Sequence, residues 1–397
     1  MFIDLSYFKS QQKVVYLYNT TSNLKDTTKK GGIFILNQNL PKYVAVAEWI
    51  KQNIYNNTYK AGEKLISENQ LCEKFSISRQ TARQAIAILE KEGLVLKKQG
   101  SGTYVNHIFS ETKIPSKTIG LVTTYLDDYI FPGIISGIEK VLSLNGYNTT
   151  LRLTRNKVNT EREQLLSLLK SDIDGLIVEG TKSALPNPNL DIYNQFEQRG
   201  IPVVFINSHY AQLNCNYIVV DDELGGELAT RHLIENGHQN ITGIFKYDDM
   251  QGNLRYKGFL TEMYKHNLSV DESAIIWYST ENMEQQFCLE NLPQLLKKFK
   301  SSTAIVCYND QIAMKLIQLL ASNDLNVPHD LSLVSFDNSS LSQIGVVPLT
   351  SITHPGKELG KLAAESILSM INNPHYEMKH TYHPELIIRK SVAKLTK

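Results

Sequence analysis

The chain has 397 residues, 42 % of them hydrophobic and 20 % charged, which suits two or three domains with sizeable cores and excludes global disorder. It contains no long uncharged apolar run, and residues 1–35 lack an apolar stretch followed by a small-residue cleavage site, so neither a membrane span nor a secretory signal is expected. The formal charge of +1 hides a split: residues 40–105 carry ten basic and six acidic side chains (+4), whereas residues 106–397 carry 26 and 32 (−6). A small basic block ahead of a large acidic one suits a DNA reader joined to a second domain, although short segments also vary by chance. Cys72, Cys215, Cys288 and Cys307 are scattered, with no CxxC and no His at ligand spacing. That argues against a disulfide framework and a structural zinc, and for a reducing cytoplasm. No metal, cofactor or membrane partner is expected.

Residues 1–35 show no period of 2 or 3.6. Lys29-Lys30-Gly31-Gly32 can be encoded by a purine-rich ribosome-binding sequence, and Leu36 by a UUG start codon. The natural product is therefore expected to begin at position 36, with 1–35 as translated leader; a disordered tail is the alternative. A tryptic peptide from residues 1–35 of the natural protein would overturn the leader reading.

Residues 41–57 predict a first helix, with Tyr43, Ala47, Ile50 and Ile54 on one stripe. Ser67-Glu68-Asn69-Gln70 fits a capping box that opens a second helix. Ser78 caps a third, running to about residue 92, with Ala82, Ala85, Ile86 and Leu89 inward and Gly93 as its stop. Leu94-Val95-Leu96 and Thr103-Tyr104-Val105 flank a basic, Gly-rich tip that includes Lys97, Lys98, Gln99 and Gly100, a hairpin pattern. Two helices joined by a tight turn project the second into the major groove. Its open positions are Ser78, Arg79, Gln80, Thr81, Arg83 and Gln84. Arg suits guanine and Gln adenine, while hydroxyls and helix-start amides suit phosphate. Ser67, Glu68, Lys97 and Lys98 complete the candidate DNA-facing set. Each cation alone reads more readily as a solvated surface charge; the order of the whole constellation is what carries the argument.

Residues 61–105, AGEKLISENQLCEKFSISRQTARQAIAILEKEGLVLKKQGSGTYV, resemble the winged helix of gluconate-repressor type regulators, with Ile66 standing where that family commonly has Pro. The resemblance implies that Arg79 and Arg83 read bases, that Ser78 and Thr81 bind backbone, and that Gln99 and Gly100 make the wing contact.

Residues 106–117 read as a polar linker containing Pro115 and Ser116. From 118 to 393, strand and helix alternate. Strands are expected near 118–123, 150–153, 175–178, 203–206, 217–220, 241–245, 274–277, 304–308, 333–336 and 386–388. Helices are expected near 131–144, 161–169, 190–198, up to 235, 256–265, 285–296, 311–320 and 357–371. Short βα connections imply parallel sheets, and about 275 residues imply two doubly wound lobes. Ligands in such folds bind beyond the carboxyl ends of strands. The residues there include Tyr129, Phe131, Glu179, Lys182, His209, Arg255, Asn309, Asp310, Asp337 and His354. Carboxylates, amides, cations and aromatics converging on a crevice suit a polyhydroxylated ligand. Taken singly, each is equally a loop polar group, and Asp310 or Asp337 a helix cap. No GxGxxG after a strand, GxxxxGK[ST], GxSxG or HExxH is present, so no enzyme is expected. A sugar-binding sensor or sugar enzyme whose head docks protein instead of DNA is the alternative.

The segments IPVVFINS, VVDDELGGELATRHLIENGHQNI, CYNDQIAMKLIQLLASNDLNVPHDLSLVSFDN and PLTSIT resemble the effector domain of the lactose/galactose-repressor family, over essentially 118–393. The resemblance implies a two-lobed, periplasmic-binding-protein-like α/β domain in which Arg255, Asn309 and Asp337 hold sugar hydroxyls. A small α+β winged helix-turn-helix ahead of such a domain resembles the arabinose-repressor group of Gram-positive bacteria. That implies a homodimer on a palindromic double-stranded DNA operator, released by L-arabinose.

Overall fold

The computed structural model describes residues 41–55, 58–60, 62–98, 101–106, 115–126 and 129–395. The expected leader, and the wing residues Gln99 and Gly100, lie outside them. The described residues form two compact units, one within residues 1–114 and one within 115–397.

The first unit packs α1 (Lys42–Tyr55), α2 (Glu68–Phe75) and α3 (Arg79–Lys91) against the hairpin β1 (Val95–Lys98) and β2 (Gly102–Val105). Its core is the predicted stripe: Ile50 and Ile54 meet Leu71, Phe75, Ala82, Ala85, Ile86 and Leu89. Ser67 makes the expected capping box with Gln70. Ser76 ends α2 in the left-handed conformation (φ 48°), Ser78 caps α3, and Gly93 (φ 74°) turns the chain into β1. Gly102 sits at φ 124°, where a Cβ would lie 2.7 Å from the Lys64 side chain. Only glycine closes this hairpin against the Lys64–Tyr104 bridge.

The second unit is two doubly wound lobes. Lobe 1 carries six strands in the order β13-β7-β6-β5-β3-β4: β3 (Thr118–Thr123), β4 (Asn148–Leu153), β5 (Gly175–Glu179), β6 (Val203–Ile206), β7 (Asn216–Val220) and β13 (Lys379–Tyr382), all parallel. Lobe 2 carries six in the order β14-β12-β11-β10-β8-β9: β8 (Ile241–Lys246), β9 (Ile276–Tyr278), β10 (Ala304–Cys307), β11 (Ser332–Asp337), β12 (Thr350–Thr353) and β14 (Leu386–Ile387), with only β14 antiparallel. Buried strands alternate their apolar side chains between two helical layers. In lobe 1, Ile177 faces α4 (Phe131–Leu144) and α12 (Gly356–Asn372), while Val178 faces α5 (Val158–Lys170) and α6 (Leu190–Gln198). In lobe 2, Val306 faces α7 (Asp222–Glu235) and α8 (Met250–Lys265). Ile305 faces α10 (Leu292–Phe299) and α11 (Asp310–Ala321). The chain crosses between lobes after β7, after β12 and after β13.

In each lobe one helix pair approaches backbone to backbone through glycine. A Cβ on Gly137 would meet Lys357 O at 2.2 Å and one on Gly360 would meet Ile134 O at 2.1 Å. In lobe 2, Gly226 faces Arg255 O at 2.2 Å and Gly258 faces Glu223 O at 2.0 Å. Gly226→Ala is expected to push α7 from α8 and destabilise the unit by about 1–3 kcal/mol, read as a lower denaturation midpoint; an unchanged midpoint would refute the tight contact.

Three expectations are corrected. The predicted 256–265 helix begins earlier, at Met250; its first turns include Gln251, Gly252 and Asn253, which break the apolar period that the sequence pattern relies on. The predicted 285–296 helix is broken into α9 (Met283–Gln286), a 3₁₀ turn (Leu289–Asn291) and α10. Pro293 sits in the first turn of α10, where its missing N–H costs nothing. Strand β13 was not predicted; it is a polar, half-exposed edge strand. Among the described residues no helix is long and apolar enough to cross a membrane.

Candidate functional site

In the first unit, Arg79, Gln80, Arg83 and Gln84 project to solvent from α3, and Lys97 and Lys98 from β1. Ser78 Oγ accepts the Thr81 N–H at 3.2 Å and lies 2.9 Å from Thr81 Oγ1, so both hydroxyls sit at the positive end of the helix. Arg83 Nε donates to Glu68 Oε2 at 2.9 Å, and Lys97 Nζ to Glu90 Oε2 at 2.9 Å. Lys98 lies over the Tyr104 ring. Of the other two candidate DNA-facing residues, Ser67 caps α2 and Glu68 is the partner of Arg83.

In the second unit, a cavity of about 270 Å³ opens between the lobes at the carboxyl ends of the strands, near the lower end of small-molecule sites. Seven of the ten sequence-predicted residues line it: Tyr129, Phe131, Glu179, Arg255, Asn309, Asp337 and His354. Asp337, at the end of β11, holds φ 95°, a left-handed strain that turns its carboxylate into the cavity. It accepts a hydrogen bond from Tyr129 Oη of the opposite lobe and lies 3.7 Å from Arg255 Nη2. Arg255 Nε donates to Asp222 at 2.8 Å and Nη1 to Tyr308 O at 2.6 Å, and its Cζ lies 4.9 Å from the centre of the Tyr308 ring and 4.4 Å from that of Phe336. Burial opposes the Arg255 charge, but Asp222 and Asp337 outweigh it and raise its pKa. His354, at a crossing between lobes, faces Asn207 Oδ1 at 3.2 Å, and burial lowers its pKa. Asn309 caps α11 by accepting the Ile312 N–H and also lines the cavity.

Glu179 is buried in lobe 1, where it accepts from Thr124 N–H, Thr124 O–H and Asn207 Nδ2. Burial outweighs these donors and pushes its pKa up to about 7 from 4.5. A carboxyl raised on folding stabilises fully below its unfolded pKa and loses that contribution as pH rises through its folded pKa. Wild type measured against Glu179→Gln is therefore expected to lose on the order of 3 kcal/mol between pH 4.5 and 7 and little above. Denaturant midpoints of both proteins at pH 5 and pH 8 check this; a pH-independent difference would refute it.

Three predicted residues stand elsewhere. Lys182 Nζ pairs with Glu281 of the other lobe at 2.5 Å, outside the cavity lining. His209 stacks on Tyr217 at 4.3 Å between centroids, away from the cavity. Asp310 turns under the cavity floor, where it accepts from Ser335, Ser339 and Ser351 hydroxyls; the cap of α11 is its neighbour Asn309. Asp337 is not a cap either.

The sequence reading passed over Lys246, Asp249 and Gln251, which also line the cavity. Lys246 Nζ donates to Asp249 Oδ2 at 2.5 Å. Burial works against its charge, but Asp249 and Asp248 outweigh it and hold its pKa above that of an ordinary lysine. Gln251 Oε1 is buried with no hydrogen-bond partner among the described residues. The cavity thus offers cations, carboxylates, an open amide oxygen and aromatic rings at close quarters, which matches hydroxyls that both donate and accept. Among the described residues no cluster of three or more His, Cys, Asp or Glu is arranged for a metal.

Comparison with known proteins finds one family profile within each unit. The profile of the bacterial regulatory proteins of the gntR family matches residues 42–105, and that of the periplasmic binding protein-like domain matches residues 230–392. An arabinose metabolism transcriptional repressor of Geobacillus stearothermophilus is 40% identical over 360 residues, covering 90% of this chain and 99% of that one. Its counterpart in Halalkalibacterium halodurans is 40% identical over 363 residues, covering 89% and 96%. A periplasmic binding protein/LacI transcriptional regulator of Alkaliphilus metalliredigens, solved with D-xylulofuranose, superposes with a TM-score of 0.61 at 26% identity, over 70% of this chain and 99% of that one.

Proposed function

The chain belongs to the family of arabinose metabolism transcriptional repressors, and we propose that it grips a palindromic operator as a homodimer and lets go when L-arabinose fills the cavity between its lobes. It is a DNA-binding transcriptional repressor that responds to a sugar. Residues 40–105 are the reader, 106–117 the linker and 118–393 the effector-binding and dimerisation domain, and the protein works in the cytoplasm without catalysing a reaction.

The observation that carries the sugar assignment is the cavity, a single-sugar-sized space whose wall sets Arg255 and Lys246 among Glu179, Asp249 and Asp337. Each sugar hydroxyl can donate to a carboxylate and accept from a cation, and Tyr129 and Phe131 offer apolar faces to its C–H surface. Asp337 and Tyr129 stand on opposite lobes, so a ligand held by both favours closure. Release requires that the sugar bind the weakly gripping state more tightly, since equal affinity shifts nothing. Sugar and operator must then weaken each other by the same factor. The reader works through α3: Arg79 and Arg83 address base edges, Ser78 and Thr81 phosphate, and Lys97, Lys98 and the tip of the wing the flanking backbone.

The test is a mobility-shift titration of the protein–operator complex with L-arabinose, galactose, glucose, xylose and ribose. Release by L-arabinose alone is expected. Release by a different sugar would keep the regulator and replace its effector; failure to bind any palindromic duplex, with sugar binding intact, would favour the sensor reading.

A further inference from the structure

The geometry assigns to Asn156, which does not touch the cavity, the role of a positioning residue that clasps the two lobes and holds Asp249 in place. This rests on the cavity being the effector site. Asn156 follows β4, the strand of lobe 1 farthest along the sheet from β7 and β13, where the chain crosses between lobes. Its partners follow β8 and β9, at the corresponding far edge of lobe 2. The clasp therefore closes the edge opposite the crossings, where lobe separation is widest on opening.

Asn156 is buried at φ 52° and uses both ends of its amide. Oδ1 accepts the Lys182 N–H of its own lobe at 2.7 Å. Nδ2 faces the other lobe, donating to Thr280 Oγ1 at 2.7 Å and Asp249 Oδ1 at 3.2 Å, with Asp248 Oδ2 at 3.5 Å. The second oxygen of Asp249 takes the Lys246 ammonium and the Tyr308 hydroxyl, both cavity-lining groups. One carboxylate is thus held from behind by lobe 1 and presents a lobe 2 cation to the cavity. Two further bonds cross beside it without using Asn156: Met250 N–H to Ser183 Oγ at 3.0 Å and Ala184 N–H to Asp248 O at 3.4 Å. These bonds exist only with the lobes together, so they add to the closed state alone, and opening leaves buried polar groups to be rehydrated. The exposed Lys182–Glu281 pair at the rim adds less.

The Met250 and Ala184 amides report separation of the lobes directly. Hydrogen exchange is to be followed in the full chain, sugar-free and with saturating L-arabinose, for wild type, Asn156→Ala and the same-shape Asn156→Asp, which sets a carboxylate against Asp248 and Asp249. Both variants are expected to speed these two amides at least about tenfold while Ile177 and Val334, in the sheet centres, keep wild-type rates. Asn156→Asp should have the larger effect, and L-arabinose should dissociate faster with its association rate little changed. Wild-type exchange at Met250 and Ala184 in both conditions, or equal acceleration of every amide, would overturn the clasp. If L-arabinose failed to bind wild type, the sugar assignment would fall, yet the exchange comparison would still decide this inference.

Discussion

Asp337→Asn is expected to yield a repressor that keeps its operator affinity and needs at least about tenfold more L-arabinose to release it. The substitution conserves shape, and Asn tolerates the left-handed backbone that Asp337 adopts at φ 95°. What it removes is charge: the carboxylate that faces Arg255 at 3.7 Å and accepts from Tyr129 across the cleft. A hydrogen bond to a charged group contributes about 1.5–3 kcal/mol, so the loss falls on sugar binding and on closure together. Arg255→Ala is a harsher change and a less clean one. It strands Asp222 and Asp337, both buried, and leaving a buried charge unpaired costs about 3–5 kcal/mol of stability. Titrating operator release for Asp337→Asn, beside its melting temperature, separates the two effects. A wild-type dose response would remove Asp337 from the effector site.

The parts of this site legible in the sequence are those that depend on strand order. Looking at and beyond the carboxyl end of each strand finds Glu179 at the end of β5, Asn309 after β10, Asp337 at the end of β11 and His354 after β12, and the cavity gathers all four. The same rule fails where it was not followed closely: after β8 the reading went straight to Arg255 on the next helix and missed Lys246, the last residue of the strand, and Asp249 in the turn beyond it. It also fails on direction. Lys182 and Asp310 follow the right strands, but one reaches across to Glu281 and the other turns under the floor to Ser335, Ser339 and Ser351. No periodicity encodes a partner 25 to 99 residues away. The winged unit was read almost whole because its signals are local: caps, a left-handed turn and a Gly-closed hairpin each span a few residues. The pairing of Arg83 with Glu68, 15 residues apart on neighbouring helices, was not.

That pairing bears on the second large effect. Arg83→Ala and Arg79→Ala are each expected to weaken binding to the cognate operator by about 1–3 kcal/mol per half-site, a loss that the proposed homodimer on a palindrome would suffer twice. The Arg83–Glu68 pair does not block this, because Arg83 is largely exposed and a surface ion pair is worth at most about 1 kcal/mol. Glu68 instead fixes the direction of the guanidinium, which a bidentate contact to guanine requires. On a scrambled duplex the same substitutions remove only a phosphate-range attraction and should cost far less, so the specificity ratio collapses. Lys97→Ala should behave in the opposite way, lowering affinity for both duplexes alike and flattening the dependence on salt. Anisotropy titrations of the three variants on cognate and scrambled DNA at several salt concentrations distinguish the roles. Equal losses on both duplexes for the arginine variants would move Arg79 and Arg83 from the base edges to the backbone.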